Sequence, residues 1–195
     1  MTRIIAGSAR GRRLRTPTGE ATRPTSDRVR EALFSALQSR LGSLHGVRLL
    51  DLYAGSGAVA LEALSRGAEA VTAVESDRRT AAIVTQNART LGVGDQVEVI
   101  AQRVERVLDR PAPRAFDVVF ADPPYPLGQP EVEQMLGQIV TNGWIVESGV
   151  LVLERSARSV EPTWPEPLVL DSRKAYGESV LWYVRAGSSG SAQNS

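Results

Sequence analysis

The stretch DLYAGSGAVALEAL, residues 51–64, decides the fold. Its Gly55, Gly57 and Ala60 spell G-x-G-x-x-A, and Glu75 lies twenty residues beyond Gly55. This spacing is typical of the turn between a buried strand and a helix in a nucleotide-binding α/β domain, where glycines let a ligand approach the backbone and the helix N-terminus. We therefore expect a cofactor site on this turn.

Two classes of cofactor use such a turn, and the residue before it distinguishes them. The dinucleotide of an NAD-dependent oxidoreductase would bring a diphosphate, whereas S-adenosylmethionine carries an ammonium, a sulfonium and no phosphate. Asp51 precedes Gly55 by four residues, and its carboxylate would repel a diphosphate but attract an ammonium, directly or through water. The sequence thus favours S-adenosylmethionine, with Glu75 accepting hydrogen bonds from the ribose hydroxyls. The expected cofactor-binding residues are Asp51, Tyr53, Ala54, Gly55, Ser56, Gly57, Glu75, Ser76, Gln102 and Arg103.

Strands and helices alternate on both sides of this turn. A first amphipathic helix begins after the capping candidates Thr25 and Ser26 and ends near Gly42. Further helices are predicted over 58–67, 77–93 and 131–145, and strands over 47–54, 68–75, 96–100, 115–125, 148–156 and, as a pair, within 167–185. The alternation predicts an α/β fold with a mainly parallel sheet and helices on both faces, whereas the last two strands must be antiparallel. This arrangement resembles the Rossmann-like fold of class I S-adenosylmethionine-dependent methyltransferases.

The chain length predicts one domain with a small appendage, since 195 residues with 42% hydrophobic content can bury one core. The appendage is an Arg-rich β-hairpin over 1–22, where short apolar runs flank a Gly-Ser turn. The methyltransferase domain is expected over 23–185. Residues 186–195 form a polar tail that we expect to be disordered. Nothing in the composition requires more than a monomer.

The composition excludes several kinds of chemistry. With no cysteine, the chain can form no disulfide, no thiolate zinc site and no cysteine nucleophile. The single histidine, His45, indicates no metal site. No apolar run is long enough to cross a bilayer, and the N-terminus lacks the apolar stretch of a signal peptide. We therefore expect a cytoplasmic protein without membrane contact.

Positive charge is concentrated at the N-terminus, although the whole chain carries a net charge of only +1. Residues 1–30 contain eight arginines and two acidic residues, a net charge of +6, whereas the remaining residues carry −5. A local excess of this size favours a polyanionic partner, and arginine also stacks on unpaired bases. The residues expected to bind RNA are Arg3, Arg10, Arg12, Arg13, Arg15, Arg23, Arg28 and Arg30.

The motif DPPY, residues 122–125, ends the strand predicted over 115–125. In an open α/β sheet, ligands bind at the carboxyl ends of the strands, so this turn should face the same crevice as residues 51–57. The Asp122 carboxylate and the Pro123 carbonyl would accept both N–H bonds of an exocyclic amino group on a nucleobase, which must leave its stack to reach them. Tyr125 would stack on the base. The expected catalytic residues are Asp122, Pro123, Pro124 and Tyr125.

Several segments together resemble the RsmD family of bacterial 16S rRNA guanine-N2 methyltransferases. They are RPTSDRVREALF (23–34), LLDLYAGSGAVALEALSRGA (49–68), VESDR (74–78), FADPPY (120–125) and NGW (142–144). The resemblance runs from about residue 3 to residue 184, and the R-P-T-x-D-R-V-R-E pattern is its most specific part. It implies methylation of N2 of one guanine in 16S rRNA, within the small ribosomal subunit or an assembly intermediate. It also implies that the N-terminal hairpin helps to hold this substrate.

One position departs from the common methyltransferase pattern. After the third strand an Asp or Asn usually binds the adenine amino group of the cofactor, but here Ala101, Gln102 and Arg103 follow. The Gln102 amide oxygen or a backbone group would have to substitute, so we expect weaker cofactor binding and a pocket that the substrate helps to complete. The residues alone leave open three other functions: methylation of adenine N6 in DNA or RNA and, more remotely, a non-enzymatic RNA-binding assembly factor or an NAD-dependent oxidoreductase.

Overall fold

The structure, a computed structural model, describes residues 2–17 and 26–188. In this part of the chain, β1 (Thr2–Arg3) and β2 (Arg13–Leu14) form an antiparallel hairpin. One larger sheet contains β3 (Arg48–Leu52), β4 (Ala70–Val74), β5 (Val97–Ile100), β6 (Phe116–Ala121), β7 (Ile145–Ser156), β8 (Leu168–Tyr176) and β9 (Ser179–Ala186). The helices are α1 (Asp27–Leu41), α2 (Ala58–Ser65), α3 (Arg78–Leu91), α4 (Val104–Leu108) and α5 (Gln129–Thr141).

The larger sheet has the strand order β5-β4-β3-β6-β7-β9-β8. The five strands from β5 to β7 in this order are parallel to one another, whereas β9 is antiparallel to both β7 and β8. The predicted α/β architecture, with a mainly parallel sheet that ends in an antiparallel pair, is therefore confirmed. So is the N-terminal hairpin, although each of its strands has only two residues.

Two apolar cores cover the opposite faces of this sheet. One core contains side chains of α1, α2 and α3 together with Ile4 and Leu14 of the N-terminal hairpin. The other contains side chains of α4 and α5. Burial of apolar area is the main force that holds these layers together. The hairpin therefore packs into the main core on the face that α1, α2 and α3 cover.

The helix predicted over 131–145 and the strand predicted over 148–156 have different bounds in the structure. α5 already ends at Thr141, because Gly143 adopts a left-handed conformation with φ 70°. The Trp144 ring then stacks on Phe116, with ring centroids 6.2 Å apart, and β7 begins at the next residue. The apolar residues after Thr141 thus belong to the junction with the sheet, which local periodicity does not distinguish from a further helical turn.

Other differences concern short segments. The strand predicted over 47–54 ends at Leu52, because Tyr53 has a φ of 62°. The helix α4 was not predicted, since its five residues are too few for a helical period to show. The boundary predicted between residues 22 and 23 lies outside the described residues, as do 189–195 of the predicted tail. Ala186, the first residue of that tail, is buried and ends β9.

Candidate active site

The carboxyl ends of β3, β4 and β6 meet at one edge of the sheet. Leu52 at the end of β3 pairs with Val74 of β4 and with Ala121 of β6. Tyr53, Glu75 and Asp122 each follow one of these residues, so they lie side by side. The pairing register therefore brings the two motifs found in the sequence, around Gly55 and around Asp122, to the same edge.

Residues 53–57, which we call the cofactor loop, turn sharply between β3 and α2. Tyr53, Gly55 and Gly57 have φ values of 62°, 56° and 79°. A Cβ added to Gly57 would lie 2.7 Å from Cγ1 of Val84, whereas one added to Gly55 would meet open space. Gly57 is thus required by packing as well as by its conformation, and Gly55 leaves the outer surface of the loop open to a ligand.

Tyr53 and Ala54 contribute to the cofactor loop mainly through their backbone. The Ala54 N–H donates to the Val74 carbonyl at 2.9 Å. The Tyr53 side chain packs against the core under α5, and its hydroxyl donates to Sδ of Met135 at 3.6 Å. This packing holds the side chain of Tyr53 in place. The predicted contact of Tyr53 with a cofactor would therefore use the atoms of the residue that remain exposed.

Asp51 lies behind the cofactor loop and is only 1% exposed. Its Oδ2 accepts a hydrogen bond from the Ala60 N–H of α2 at 3.1 Å. Burial raises the pKa of Asp51, the hydrogen bond from Ala60 lowers it and the charge of Glu75 raises it, and together these effects bring the pKa to about 7. A positive charge in the adjacent crevice would favour the ionised form of this carboxylate.

Glu75 connects the end of β4 to the cofactor loop. Its Oε2 accepts from the Gly55 N–H at 3.0 Å and its Oε1 from the Asp77 N–H at 2.9 Å. The neighbouring Ser76 is exposed and its hydroxyl donates to Oε1 of Glu75 at 3.5 Å. An ionised carboxylate has about four acceptor positions, so these three bonds leave capacity for about one ligand hydroxyl.

The sequence-predicted adenine contacts lie beyond β5, next to Glu75, whose N–H donates to the Ile100 carbonyl at 3.1 Å. Gln102 and Arg103 are both exposed. The Arg103 guanidinium donates through Nε to Oε2 of Glu105 at 3.3 Å, and its carbonyl accepts from the first turn of α4. Arg103 therefore caps α4 through its backbone, and Gln102 is the residue of this pair whose side chain offers an acceptor.

Residues 122–125, which we call the acceptor turn, follow β6. Asp122 is half-buried and Pro123 is buried, while Pro124 is exposed and the Tyr125 side chain is 66% exposed. The Pro124 carbonyl accepts from the Leu127 N–H at 2.9 Å. The turn thus keeps Asp122 and Pro123 partly or fully buried and exposes Tyr125 to solvent.

Arg155, at the end of β7, supports the acceptor turn and was not identified from the sequence. Its Nη2 donates to the Leu127 carbonyl at 2.9 Å. Burial lowers the pKa of Arg155, and the carboxylate of Asp122 opposes this effect. Arg155 thus ties β7 to the residues just after the acceptor turn and lies close enough to interact electrostatically with Asp122.

Six of the eight arginines expected to bind RNA are exposed, namely Arg3, Arg10, Arg12, Arg13, Arg15 and Arg28. Arg12 and Arg15 extend over α3, where Nη2 of Arg12 donates to the Thr90 carbonyl at 2.8 Å and Nη1 of Arg15 to Oε1 of Gln86 at 3.1 Å. Arg23 lies outside the described residues. We call these six exposed arginines, five in or next to the hairpin and one in the first turn of α1, the basic surface.

Arg30 differs from the other predicted RNA-binding arginines, because it is fully buried. Its Nη2 donates to the Arg3 carbonyl and, at 3.1 Å, to Oδ1 of Asp27, and its Nε lies 3.7 Å from Oε2 of Glu62. The guanidinium is directed into the protein and is inaccessible to a phosphate here. Arg30 therefore does not fit the predicted RNA contact. Its side chain instead holds the hairpin on α1.

Two buried polar residues of α2 were also missed. The Glu62 carboxylate accepts from the N–H groups of Ile5 and Ala6 at 2.8 and 3.0 Å. The Ser65 hydroxyl accepts from the Ala9 N–H at 2.9 Å and donates to the Ala6 carbonyl at 2.6 Å. A glutamate inside the apolar run AVALEALS was the available signal, because a buried carboxylate requires partners.

Comparison with known proteins assigns this arrangement to a family. A family model described as conserved hypothetical protein 95 matches residues 2–185. Ribosomal RNA small subunit methyltransferase D of Escherichia coli (strain K12) is 35% identical over 176 residues, which cover 90% of this chain and 85% of that protein. The chain belongs to the RsmD family. The resemblance inferred from the sequence motifs is therefore confirmed.

Other relatives of this RsmD-family chain agree. Putative rRNA methyltransferase YlbH of Bacillus subtilis (strain 168) is 34% identical, over 95% of this chain and 100% of that protein. Among solved structures, the putative methyltransferase yhhF from Escherichia coli has a TM-score of 0.84 at 31% identity, with 95% of this chain and 98% of that chain covered. The fold is that of class I S-adenosylmethionine-dependent methyltransferases.

The described residues also bear on membrane spans and metal sites. Over 2–17 and 26–188, no helix combines the length and apolar character needed to span a membrane. Within those same two ranges, histidine, aspartate and glutamate form no group of three that could hold a metal ion.

Proposed function

We propose that this protein methylates the N2 amino group of a guanine in 16S rRNA, with S-adenosylmethionine as methyl donor, in the small ribosomal subunit or an assembly intermediate. The observation that carries the proposal is the pairing of Leu52 with both Val74 and Ala121, which puts the acceptor turn beside the cofactor loop and Glu75. The relatives named as rRNA methyltransferases support RNA as the substrate.

The residues at the sheet edge suit S-adenosylmethionine better than a dinucleotide. Asp51 and Glu75 place two carboxylates beside the loop, which would repel a diphosphate and attract the ammonium and hydroxyl groups of S-adenosylmethionine. The open surface at Gly55 gives the ligand access to the backbone. We assign the cofactor to Asp51, the cofactor loop, Glu75, Ser76 and the Gln102–Arg103 segment. When bound, it supplies a methyl group on a sulfonium sulfur.

The acceptor turn would hold the amino group that receives the methyl group. The Asp122 carboxylate and the Pro123 carbonyl accept the two N–H bonds, which positions the nitrogen and makes its lone pair more available. Asp122 then accepts the proton that the nitrogen loses on methylation. Tyr125, exposed at the rim, stacks on the extruded base. Orientation and preorganised acceptors supply most of the acceleration in this proposal.

The exposed arginines of the hairpin would bind the RNA backbone around the target. Guanidinium groups suit phosphates because they donate several hydrogen bonds in one plane. Arg3, Arg10, Arg12, Arg13, Arg15 and Arg28 provide this surface, and Arg23 belongs to the same proposal. The proposed site thus combines non-specific backbone contacts with one specific pocket for the base.

Mass spectrometry of nucleosides tests this proposal directly. Small subunits from cells that lack the gene are incubated with the full chain and S-adenosylmethionine, and their 16S rRNA is mapped before and after. We expect one additional N2-methylguanosine. Appearance of N6-methyladenosine instead would assign adenine as the target, and unchanged rRNA would overturn the proposal.

The substitution Asp122→Ala tests the acceptor turn in the same assay. We expect the methylation rate to fall by about 100-fold or more, because the proton acceptor and one positioning bond are lost together. Asp95→Ala is the matched control, since Asp95 is exposed on the loop after α3. Methylation at the normal rate by the Asp122→Ala variant would remove Asp122 from the mechanism.

A further inference from the structure

Asn87, on α3, connects the cofactor loop to the chain at Arg15. The proposed function assigns the loop to the methyl donor and the Arg15 segment to the RNA. The side chain is only 2% exposed. Its Nδ2 donates to the Ser56 carbonyl of the cofactor loop at 3.0 Å. The same Nδ2 donates to the Arg15 carbonyl at 3.0 Å, and Oδ1 accepts from the Arg15 N–H at 2.8 Å. One amide thus binds the backbone of the basic N-terminal segment on one side and of the cofactor loop on the other.

Both N–H donors of the Asn87 side chain take part in these bonds. A side-chain amide has two N–H donors and one carbonyl oxygen, and here both donors have backbone acceptors. The two bonds to Arg15 have the reciprocal pattern of a paired strand, so they fix the direction of the chain where it carries exposed arginines. Because the site is buried, an unpaired carbonyl left by loss of the amide would be costly.

The other buried anchors of the hairpin do not have this double role. The bonds of Glu62 and Ser65 go to Ile5, Ala6 and Ala9, at the far end of the hairpin from Arg15. They hold the hairpin on α2. The cofactor loop, in contrast, includes three residues with left-handed backbone conformations, and the bond from Asn87 restrains the Ser56 carbonyl in the middle of that loop.

We propose that Asn87 is a positioning residue that holds the cofactor loop and the RNA-binding segment in one fixed relative geometry. Binding of the methyl donor and binding of the RNA then depend on the same side chain. This inference rests on the proposed function, since it assumes that the loop binds the donor and that the arginines bind RNA.

The test compares Asn87→Ala with Ser65→Ala, which removes hairpin anchoring without touching the cofactor loop. Calorimetry of S-adenosylhomocysteine binding to the free proteins is the first measurement. We expect about tenfold weaker binding for Asn87→Ala, the effect of losing one buried hydrogen bond and leaving its acceptor unpaired. For Ser65→Ala we expect a change below about twofold. Equal affinity of Asn87→Ala and the wild type would overturn the proposal.

Steady-state kinetics on small subunits provides the second measurement. Asn87→Ala should raise KM for both the methyl donor and the subunits, with a smaller change in kcat, whereas Ser65→Ala should raise KM for the subunits alone. Hydrogen exchange should show faster exchange at residues 55–57 and 14–16 in Asn87→Ala, but only around residues 5–9 in Ser65→Ala. The same pattern in both variants would also overturn the proposal.

If Asn87→Ala fails to fold, the near-isosteric variant Asn87→Asp takes its place in the test. Its carboxylate still accepts from the Arg15 N–H, but it faces the carbonyls of Ser56 and Arg15 without a donor. We expect weaker S-adenosylhomocysteine binding than in the wild type. If the wild type itself neither binds S-adenosylhomocysteine nor methylates rRNA, the proposed function fails. If it does both and the Asn87 variants bind normally, only the role of Asn87 fails.

Discussion

At the residue scale, Asp51 carries a charge that its surroundings disfavour. The carboxylate is almost fully buried. The hydrogen bond from the Ala60 N–H offsets part of the cost of removing this charge from water. A free protein would be more stable with a neutral group at this position, whereas a cationic ligand would favour the charge. Asp51 therefore has the properties of a ligand-binding residue that lowers the stability of the free protein.

The substitution Asp51→Asn makes this cost measurable. Because the folded pKa is about 7 and the ordinary value is 3.8, folded wild-type protein binds more protons than unfolded protein between these values. Stability of the wild type should therefore fall as pH rises from about 4 to about 7. Asn cannot titrate, so we expect the difference in free energy of unfolding, variant minus wild type, to rise by about 4 kcal/mol across this range and to stay constant above it.

Thermal or denaturant unfolding at several pH values from 4 to 9 checks this prediction. Measurements above pH 7, where the difference between the Asp51 variant and the wild type should stay constant, are the internal control. A difference between the Asp51 variant and the wild type that does not depend on pH would show that Asp51 titrates normally. Calorimetry in the same buffers should show weaker S-adenosylhomocysteine binding to Asp51→Asn.

At the element scale, the N-terminal hairpin depends on α2 for its position. Glu62 and Ser65 bind its backbone, and Arg30 of α1 binds the Arg3 carbonyl. Gly7 allows the close approach, because a Cβ at this residue would lie 1.8 Å from the Ser65 carbonyl oxygen. A two-stranded hairpin is marginal alone, so these contacts with the helices decide whether it adopts one position.

The pair Gly7→Ala and Gly11→Ala tests this dependence. Both glycines have a φ of 81°, but a Cβ at Gly11 would meet nothing within 4 Å. Gly11→Ala should therefore cost only the backbone strain, about 1 kcal/mol. Gly7→Ala adds the clash with Ser65 and should displace the hairpin, lowering the affinity for small subunits by about tenfold or more. Similar affinities of the two variants would show that the close approach at Gly7 does not position the hairpin.

At the scale of the whole molecule, charge is divided between a basic surface on the hairpin and an acidic remainder. The net charges of +6 for residues 1–30 and −5 for the rest nearly cancel, yet six exposed arginines lie within residues 3–28. A polyanion in solution would be drawn to this surface first. The basic surface lies beside the edge of the sheet that carries the acceptor turn, since Arg15 and Ser56 both bind Asn87.

The salt dependence of RNA binding measures how many of these arginines bind phosphate. Replacing Arg10 and Arg13 by alanine should reduce the slope of log K against log salt concentration by about 2, roughly one for each lost phosphate contact. Arg114 and Arg158 are exposed arginines of the acidic remainder, and their replacement should leave the slope unchanged. Equal effects of the two double variants would argue against a hairpin-centred RNA surface.

Much of the fold and of the candidate site was accessible from the sequence. The alternation of apolar strands with amphipathic helices predicted the sheet and its antiparallel end, because these patterns repeat over short distances along the chain. The turn residues around Gly55 and the DPPY motif were recognised for the same reason. The end of α5, the helix α4 and the burial of Arg30 were not, since each depends on a partner distant in the chain, such as Phe116 for Trp144 and Glu62 for Arg30.

The sequence by itself determined the types of element, the chemistry of the two turns, the excess of positive charge at the N-terminus and the family. Only the tertiary structure decided which arginine faces inward, that Asp51 is desolvated, and that Asn87 binds both the Arg15 backbone and the cofactor loop. The physical reason is that local conformation follows from neighbouring residues, whereas burial and side-chain hydrogen bonds depend on which distant segments pack together.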